Sequence, residues 1–385
     1  MNTLKQKTLI KPLLASSLSV GLALANGAEA ANLADTEVKF SGYIKVDAMY
    51  SDYSNGEGVG PGRDIYVPSL VQTGATDDGL GGRFDAHAKQ SRFRFTTNTP
   101  ADGEDVITGV FEFDFLLTSG GDERVSNSYT PRMRHAYLKY NNWLIGQTWS
   151  TIMDLGALVE SVDFIGTTDG VAFTRQPQIR YSNNGFEVAL ENPETTVGTT
   201  TTAQITTDDN SVPDLIGTYT MKASWGHVKV GGILRQLAYE TQGEDYSDTG
   251  IALSLSSRIN LSNGDDIRIQ VASGSGLGRY VGVNAANGAF LDDEGNFDAI
   301  DATAVTVAYR HLWSESARTN LIFSSLDVDT VEGMVGSRTH DVYSTRINYI
   351  YNITKPLSVG LEYTYAKRET VDGFDGDMSR VQAMA

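Results

Sequence analysis

The sequence predicts an all-β fold: a transmembrane antiparallel β-barrel of about 16 strands, with short turns at one rim, long loops at the other and a third loop folded inward. Three observations carry this reading. From Val38 to Ala385 apolar and polar residues alternate in runs, as strands wetted on one face and greasy on the other require. The connections between runs are alternately very short and long, a rhythm that a membrane barrel needs and a soluble sandwich does not. The chain also holds 39 glycines, 18 tyrosines and 14 phenylalanines but only 9 prolines, which suits a sheet with aromatic girdles at two interfaces.

The amino-terminal segment is predicted to be a signal peptide, residues 1–30. Lys5, Lys7 and Lys11 precede an apolar stretch over 13–25, and Ala28-Glu29-Ala30 offers a small-residue cleavage site. The stretch is shorter than the ~20 residues a membrane-spanning helix needs. Residues 31–385 then form a single barrel domain. Cleavage leaves 27 basic and 47 acidic side chains, a net charge of −20 against −18 for the whole chain. That balance speaks against nucleic acid as a partner. The absence of cysteine rules out disulfides and thiolate metal sites.

Strand one spans 38–50, with Phe40, Gly42, Ile44, Val46, Ala48 and Tyr50 on the lipid face and Lys39, Ser41, Tyr43, Lys45 and Asp47 on the other. A Gly-, Asp- and Ser-rich stretch over 51–82 follows, before the alternation resumes at 92–97. In 107–115, Ile107, Gly109, Phe111, Phe113 and Phe115 share the outward face. The same reading places strands at 132–140, 143–149, 175–182, 186–191, 214–225, 227–239, 250–261, 266–275, 300–312, 318–327, 341–351, 357–367 and 377–385. Tight turns join them at Asn141-Asn142, Asn183-Asn184-Gly185, Trp225-Gly226, Ser262-Asn263-Gly264-Asp265, 313–316 and 352–356; Asn-Gly is a strong hairpin signal. An even barrel begins and ends at the periplasmic rim, so these turns are periplasmic and every intervening connection is expected to be a long external loop. Arg134 breaks the pattern, because its parity with Ala136, Leu138 and Tyr140 would put a charge on the outer surface.

About sixteen strands enclose an aqueous lumen, so candidate residues lie on the inward face. Inward parity collects Lys45, Arg92, Arg94, Lys139, Arg180, Lys222, Lys229, Arg235, Arg268, Arg310 and Arg346 against Asp47, Glu112, Asp114, Glu187, Glu191 and Glu362. Guanidinium groups present paired donors that match a carboxylate. A basic inner track selecting small anionic solutes is expected, with most of the negative charge on external loops. The plainer alternative is that these charges only solvate a wet wall and neutralise one another across strands.

The third long connection, 150–174, carries Ile152, Leu155, Val159 and Val162 at helix-like spacing with Asp154, Glu160 and Asp163 between them. A loop in the medium rarely keeps such residues. It is expected to fold inward as the constriction, its acids facing basic residues across the gap. Asp292-Asp293-Glu294-Gly295-Asn296-Phe297-Asp298 crowds oxygen ligands but lacks the glycine an EF-hand wants at its sixth position. It is read as a solvated acidic loop, and no metal or cofactor is expected. The five histidines, His87, His135, His227, His311 and His340, sit in no recognisable nucleophile motif, and no enzyme activity is expected.

Several segments, in order, resemble the DcaP-like porins of gammaproteobacteria. They are Phe40-Ser41-Gly42-Tyr43-Ile44-Lys45, Arg92-Phe93-Arg94-Phe95, Arg132-Met133-Arg134-His135-Ala136-Tyr137, Trp143-Leu144-Ile145-Gly146-Gln147-Thr148-Trp149 and Arg175-Gln176-Pro177-Gln178-Ile179-Arg180-Tyr181. The resemblance implies a sixteen-stranded outer-membrane channel among lipid and lipopolysaccharide, a homotrimer that passes small anions including aromatic dicarboxylic acids. Arg92, Arg94 and Arg180 fall within the matching motifs, and Asp154 and Asp163 within the stretch that corresponds to the inward loop. Two departures stand out. No coiled-coil segment separates the cleavage site from strand one, so a trimer would rest on barrel walls. The chain stops at Val381-Gln382-Ala383-Met384-Ala385 with no terminal aromatic residue, so strand sixteen is read as a few residues short, through a truncated sequence or an incomplete closure against strand one. The competing readings are a general, weakly cation-selective porin and, from another class, a secreted soluble all-β adhesin or calcium-binding protein.

Overall fold

The computed structural model describes residues 35–75, 78–118, 120–165 and 167–385; the expected signal peptide lies outside them. Eighteen strand segments form one antiparallel sheet. Two strands are each interrupted once, so the segments make sixteen barrel strands. β1 comprises Glu37–Tyr43 and Asp47–Tyr53, and β2 comprises Arg83–His87 and Arg92–Pro100. Then follow β3 Val106–Asp114, β4 Arg132–Tyr140, β5 Trp143–Trp149, β6 Arg175–Asn183, β7 Phe186–Glu191, β8 Asp214–Ala223 and β9 Gly226–Thr241. The rest are β10 Glu244–Asn260, β11 Asp266–Ser275, β12 Asp301–Leu312, β13 Ala317–Val328, β14 Thr339–Thr354, β15 Leu357–Thr370 and β16 Asp375–Met384.

Each strand pairs with its neighbours in sequence, and β16 returns to β1 from Asp47↔Met384 to Tyr53↔Met378. Val46 and Ala385 exchange both backbone hydrogen bonds at 2.9 and 3.0 Å. Closure matters because an open sheet edge has no partners in hydrocarbon. Among the described residues, Glu37–Tyr43 pairs with β2 alone. Where β1 breaks, the Ser91 hydroxyl replaces the ladder: it accepts from the Lys45 N–H at 3.1 Å and donates to the Lys45 carbonyl at 3.3 Å.

The alternation read from the sequence sorts side chains as a barrel requires. In β14, Ser344, Arg346, Asn348 and Ile350 are buried while Ile347, Tyr349 and Tyr351 are exposed. Trp143, Trp225 and Trp313 are exposed at the short-turn rim, where amphipathic rings sit at headgroup level. On the outer face of β1–β3, Phe40, Phe93, Phe95, Phe111, Phe113 and the adjoining Phe115 form one contiguous cluster, with centroids 5.3–6.3 Å apart.

Two expectations need correction. Arg134 does not face outward. The pairing of β3 with β4 slips between Glu112↔His135 and Phe113↔Met133, so Arg134 is the extra residue of a β-bulge and turns inward beside His135, 1 % exposed. Nor is every external connection long. β9 and β10 run past their expected ends and join through Gln242-Gly243 alone, and β15 and β16 are joined by residues 371–374. Alternation between polar residues, as in Glu244-Asp245-Tyr246-Ser247, carries no apolar signal, which is why that hairpin reads as loop.

Several external loops fold into the lumen. The fourth loop contributes Thr195–Thr199 and Ile205–Thr207, and the sixth contributes Ala289–Leu291 and Phe297–Ala299, to a small separate sheet. Leu277, Tyr280, Val281, Ala285, Ala286 and Phe290 of the sixth loop pack on an apolar inner wall made by Ile216, Ile233, Ala252, Ala272, Ala304 and Leu326. Packed apolar side chains therefore fill much of the upper lumen on this side. Asp292 closes the β-turn of the acidic stretch, accepting from the backbone N–H groups of Glu294 and Asn296 at 2.9 and 2.8 Å.

Candidate functional site

The third loop crosses the lumen and lies along the inner wall from β9 to β15 without forming a helix. Its backbone is held at intervals by wall side chains. The Lys229 ammonium donates to the carbonyls of Thr151 and Met153 at 2.8 and 3.1 Å, Gln270 to that of Ala157 at 2.9 Å, and Asn348 to that of Glu160 at 3.0 Å. Arg268 donates to Leu158, and the Gly170 N–H donates to the Ser324 hydroxyl at 2.7 Å. At Gly170 the approach is so close that a Cβ would stand 1.9 Å from the Val305 carbonyl oxygen.

The loop's acids bind the wall the loop rests on. Asp154 accepts from Ser256 at 2.6 Å and lies 2.7 Å from His227 Nε2. Glu160 takes both forks of Arg318 at 2.7 and 2.6 Å. Asp163 lies 3.2 Å from Arg346, which also meets Glu362 at 3.3 Å, and accepts the Tyr66 N–H at 2.9 Å. The expectation of acids facing cations across an open gap is corrected: each of the three is spent as an anchor. Burial opposes the charge of Asp163, yet Arg346, Arg380 and the N–H groups of Tyr66 and Phe164 hold its carboxyl below the ordinary range. Burial likewise opposes the charge of Asp154, and hydrogen bonds from Ser256 and His227 outweigh it. Asp169 is pushed up by burial, which the hydrogen bonds from Ser344 and Tyr66 only partly offset.

The predicted basic residues divide accordingly. Arg268 and Arg346 lie beneath the third loop, and Arg235 is buried against Asp214 at 3.4 Å and the Gly276 carbonyl at 3.0 Å. These three anchor loops and do not line an open passage. Lys45 is half-buried, donating to Gln90 at 2.7 Å and to the third-loop carbonyl of Val162 at 2.6 Å. Arg180 is shared between Gln178 at 2.9 Å, the Trp149 carbonyl at 2.5 Å and Glu187 at 3.5 Å.

Arg92 and Arg94 belong to a larger group on β2–β6, which the third loop meets through Phe164 and Phe173. Among the described residues, Arg92, Arg94, Arg132, Arg134 and Arg175 face only two carboxylates, Glu112 and Asp114. Arg132 and Arg134 take the strong contacts at 2.8 Å, and Arg92 and Arg94 lie 3.5 and 3.6 Å from Glu112. Arg175 has no carboxylate partner among the described residues; its guanidinium stacks 4.5 Å over Trp149 and 5.7 Å from Phe173. Arg132 and Arg134 lie 5.5 and 5.2 Å from the Phe164 ring. Stacking of this kind stabilises a cation while leaving N–H edges for another acceptor. The Arg94 side chain, 38 % exposed, is the most open of those paired with Glu112. Sequence parity missed Arg132, Arg134 and Arg175. The charge density of Arg132-Met133-Arg134 was the available signal, and the bulge that explains it is invisible to a period-2 reading.

The family model for the DcaP outer membrane protein matches residues 14–385. Among solved structures, the outer membrane channel DcaP of Acinetobacter baumannii superposes with a TM-score of 0.74 at 24% identity, covering 91% of this chain and 97% of that one. The anion-selective porin of Comamonas acidovorans matches with a TM-score of 0.53 at 10% identity, over 91% and 99% of the two chains. OmpF of Salmonella typhi in complex with daunomycin matches with a TM-score of 0.53 at 11% identity, over 91% and 98%. Among curated proteins no match is found. The chain belongs to the DcaP outer membrane protein family, and its sixteen strands form a β-barrel porin, not an enzyme, in the outer membrane of a Gram-negative bacterium.

Proposed function

We propose that this porin passes small hydrophilic solutes passively with a preference for anions such as aromatic dicarboxylates, after removal of residues 1–30 as an export signal. The observation that carries the reading is one cluster in which five guanidinium groups, Arg92, Arg94, Arg132, Arg134 and Arg175, stand about two carboxylates, Glu112 and Asp114. The third-loop acids do not offset this excess, since each is bound on another wall. A chain with a net charge of −18 that keeps a cationic face inside its lumen lowers the barrier for an anion and raises it for a cation. Trp149, Phe164 and Phe173 beside the arginines suit a planar aromatic body. The reversal potential in a potassium chloride gradient across a planar bilayer tests the proposal, and a cation-selective value sinks it.

The same reading includes a homotrimer among lipid and lipopolysaccharide. Supporting it is the phenylalanine cluster of β1–β3, six rings in mutual contact on the outer face. A wall that only meets acyl chains has no need of rings packed ring on ring.

A further inference from the structure

Between the first, fourth, sixth and seventh loops, at the external mouth, lies a cavity of about 420 Å³. That size is within the range of small-molecule sites, about 300–1,000 Å³. Its lining is unusual for so acidic a chain. Arg338 and Arg368 face it, carboxamides of Gln72, Gln204, Asn284 and Asn287 surround it, and among the described residues no carboxylate lines it. Ala286, Ile300, Val328 and Met334 form an apolar floor.

Neither arginine has an anionic partner among the described residues. Arg368 donates to the Thr339 hydroxyl at 3.0 Å and to the carbonyls of Val71 and Ser337 at 3.2 and 2.7 Å. Arg338 donates to the carbonyls of Val335, Thr199 and Thr202 and lies 5.3 Å from the Phe290 ring. Burial lowers the Arg338 guanidinium from its ordinary value. Among the described residues, two buried polar atoms at the cavity have no partner, Arg338 Nε and Asn284 Oδ1. Next to the lining residue Asn284, Val283 holds a φ of 51°, a conformation that a β-branched residue adopts only when its surroundings impose it. Cations without an ion pair and orphaned polar atoms in one cavity are the marks of a site built for a ligand that supplies negative charge.

We infer that this vestibule captures a small organic carboxylate, its charge between Arg338 and Arg368 and its apolar body on the floor, before the solute reaches the arginines of β2–β6. This rests on the reading of the chain as a channel for organic anions and adds a first binding step outside the constriction.

Phthalate added on the loop side of single channels in a planar bilayer is the probe, and its dissociation constant from current blockades is the readout. Arg338→Gln and Arg368→Gln are each expected to raise that constant about ten-fold, the worth of one charge-assisted hydrogen bond. Because both arginines also hold loop backbone, Ser337→Trp provides a second approach, filling the cavity without removing either cation, and should raise the constant similarly. A constant within about two-fold of the parent in all three variants overturns the inference, as does equal blockade by uncharged benzamide. The reversal potential in potassium chloride is read separately: a cation-selective parent whose phthalate blockade still depends on Arg338 and Arg368 defeats the anion preference of the pore and supports the vestibule.

Discussion

Arg346 of β14 and Asp163 of the third loop lie 3.2 Å apart, both buried, with Glu362 of β15 at 3.3 Å from the same guanidinium. This pair fastens the far end of the third loop to the wall. Removing Arg346 would leave two carboxylates buried without their counter-ion, at a cost of about 3–5 kcal/mol. Arg346→Leu is therefore expected to free the loop, read as a larger and noisier single-channel conductance while the barrel stays heat-modifiable on gels.

The same anchor has a defined pH behaviour. The Asp163 and Asp154 carboxyls are held below their ordinary value, so the stability they contribute is present above the unfolded value of about 3.9 and fades as pH falls through the lower folded value. Conductance should be flat from neutral pH to about pH 4 and rise only in stronger acid. A rise centred between pH 5 and 7 would contradict this assignment.

Gly170 sets how closely the loop can lie on β12. Its missing Cβ leaves room for the Val305 carbonyl, and Gly170→Val should displace the loop into the lumen. The expected outcome is a conductance decrease, the opposite of Arg346→Leu, measurable in the same bilayer. An increase would mean that the loop leaves the lumen altogether.

For the arginine face, Arg94→Gln and Arg175→Gln should each move the reversal potential toward that of a cation-selective channel and lower dicarboxylate flux, because Arg175 has no carboxylate partner among the described residues and Arg94 shares Glu112 with Arg92 and Arg134. Arg180→Gln should have a smaller effect, since Glu187 already lies 3.5 Å from its guanidinium. Equal effects in all three would mean that local pairing does not decide which arginine the solute meets.

If subunits meet through the phenylalanine surface, Phe95→Arg combined with Phe113→Arg places charges where rings now pack at a dry contact. The proposed trimer should then run as monomer on native gels while each barrel remains folded. A persistent trimer would put the contact elsewhere.

The barrel itself was legible because its governing constraint is local. Hydrocarbon outside and water inside impose a period of two on each strand, as Phe40, Ile44 and Tyr50 show. What the sequence concealed depends on partners distant along the chain. The sixth loop's apolar packing rests on Ala252, Ala272 and Ala304, inward residues too small to look unlike lipid-facing ones. Arg235, Arg268 and Arg346 read as pore-lining by parity, yet parity cannot tell an inward side chain in water from one beneath a loop. Asp154, Glu160 and Asp163 were found through their spacing with apolar neighbours, while their partners His227, Arg318 and Arg346 follow only from the path of the loop.

The bulge at Arg134 shows how such a wall can change its lining. One inserted residue reassigns a side chain from the oily exterior to the solvent-filled interior and leaves both ends of the strand undisturbed. Single-codon insertions are thus a route by which pores of this kind can acquire an internal charge in one step, without first carrying that charge through the bilayer.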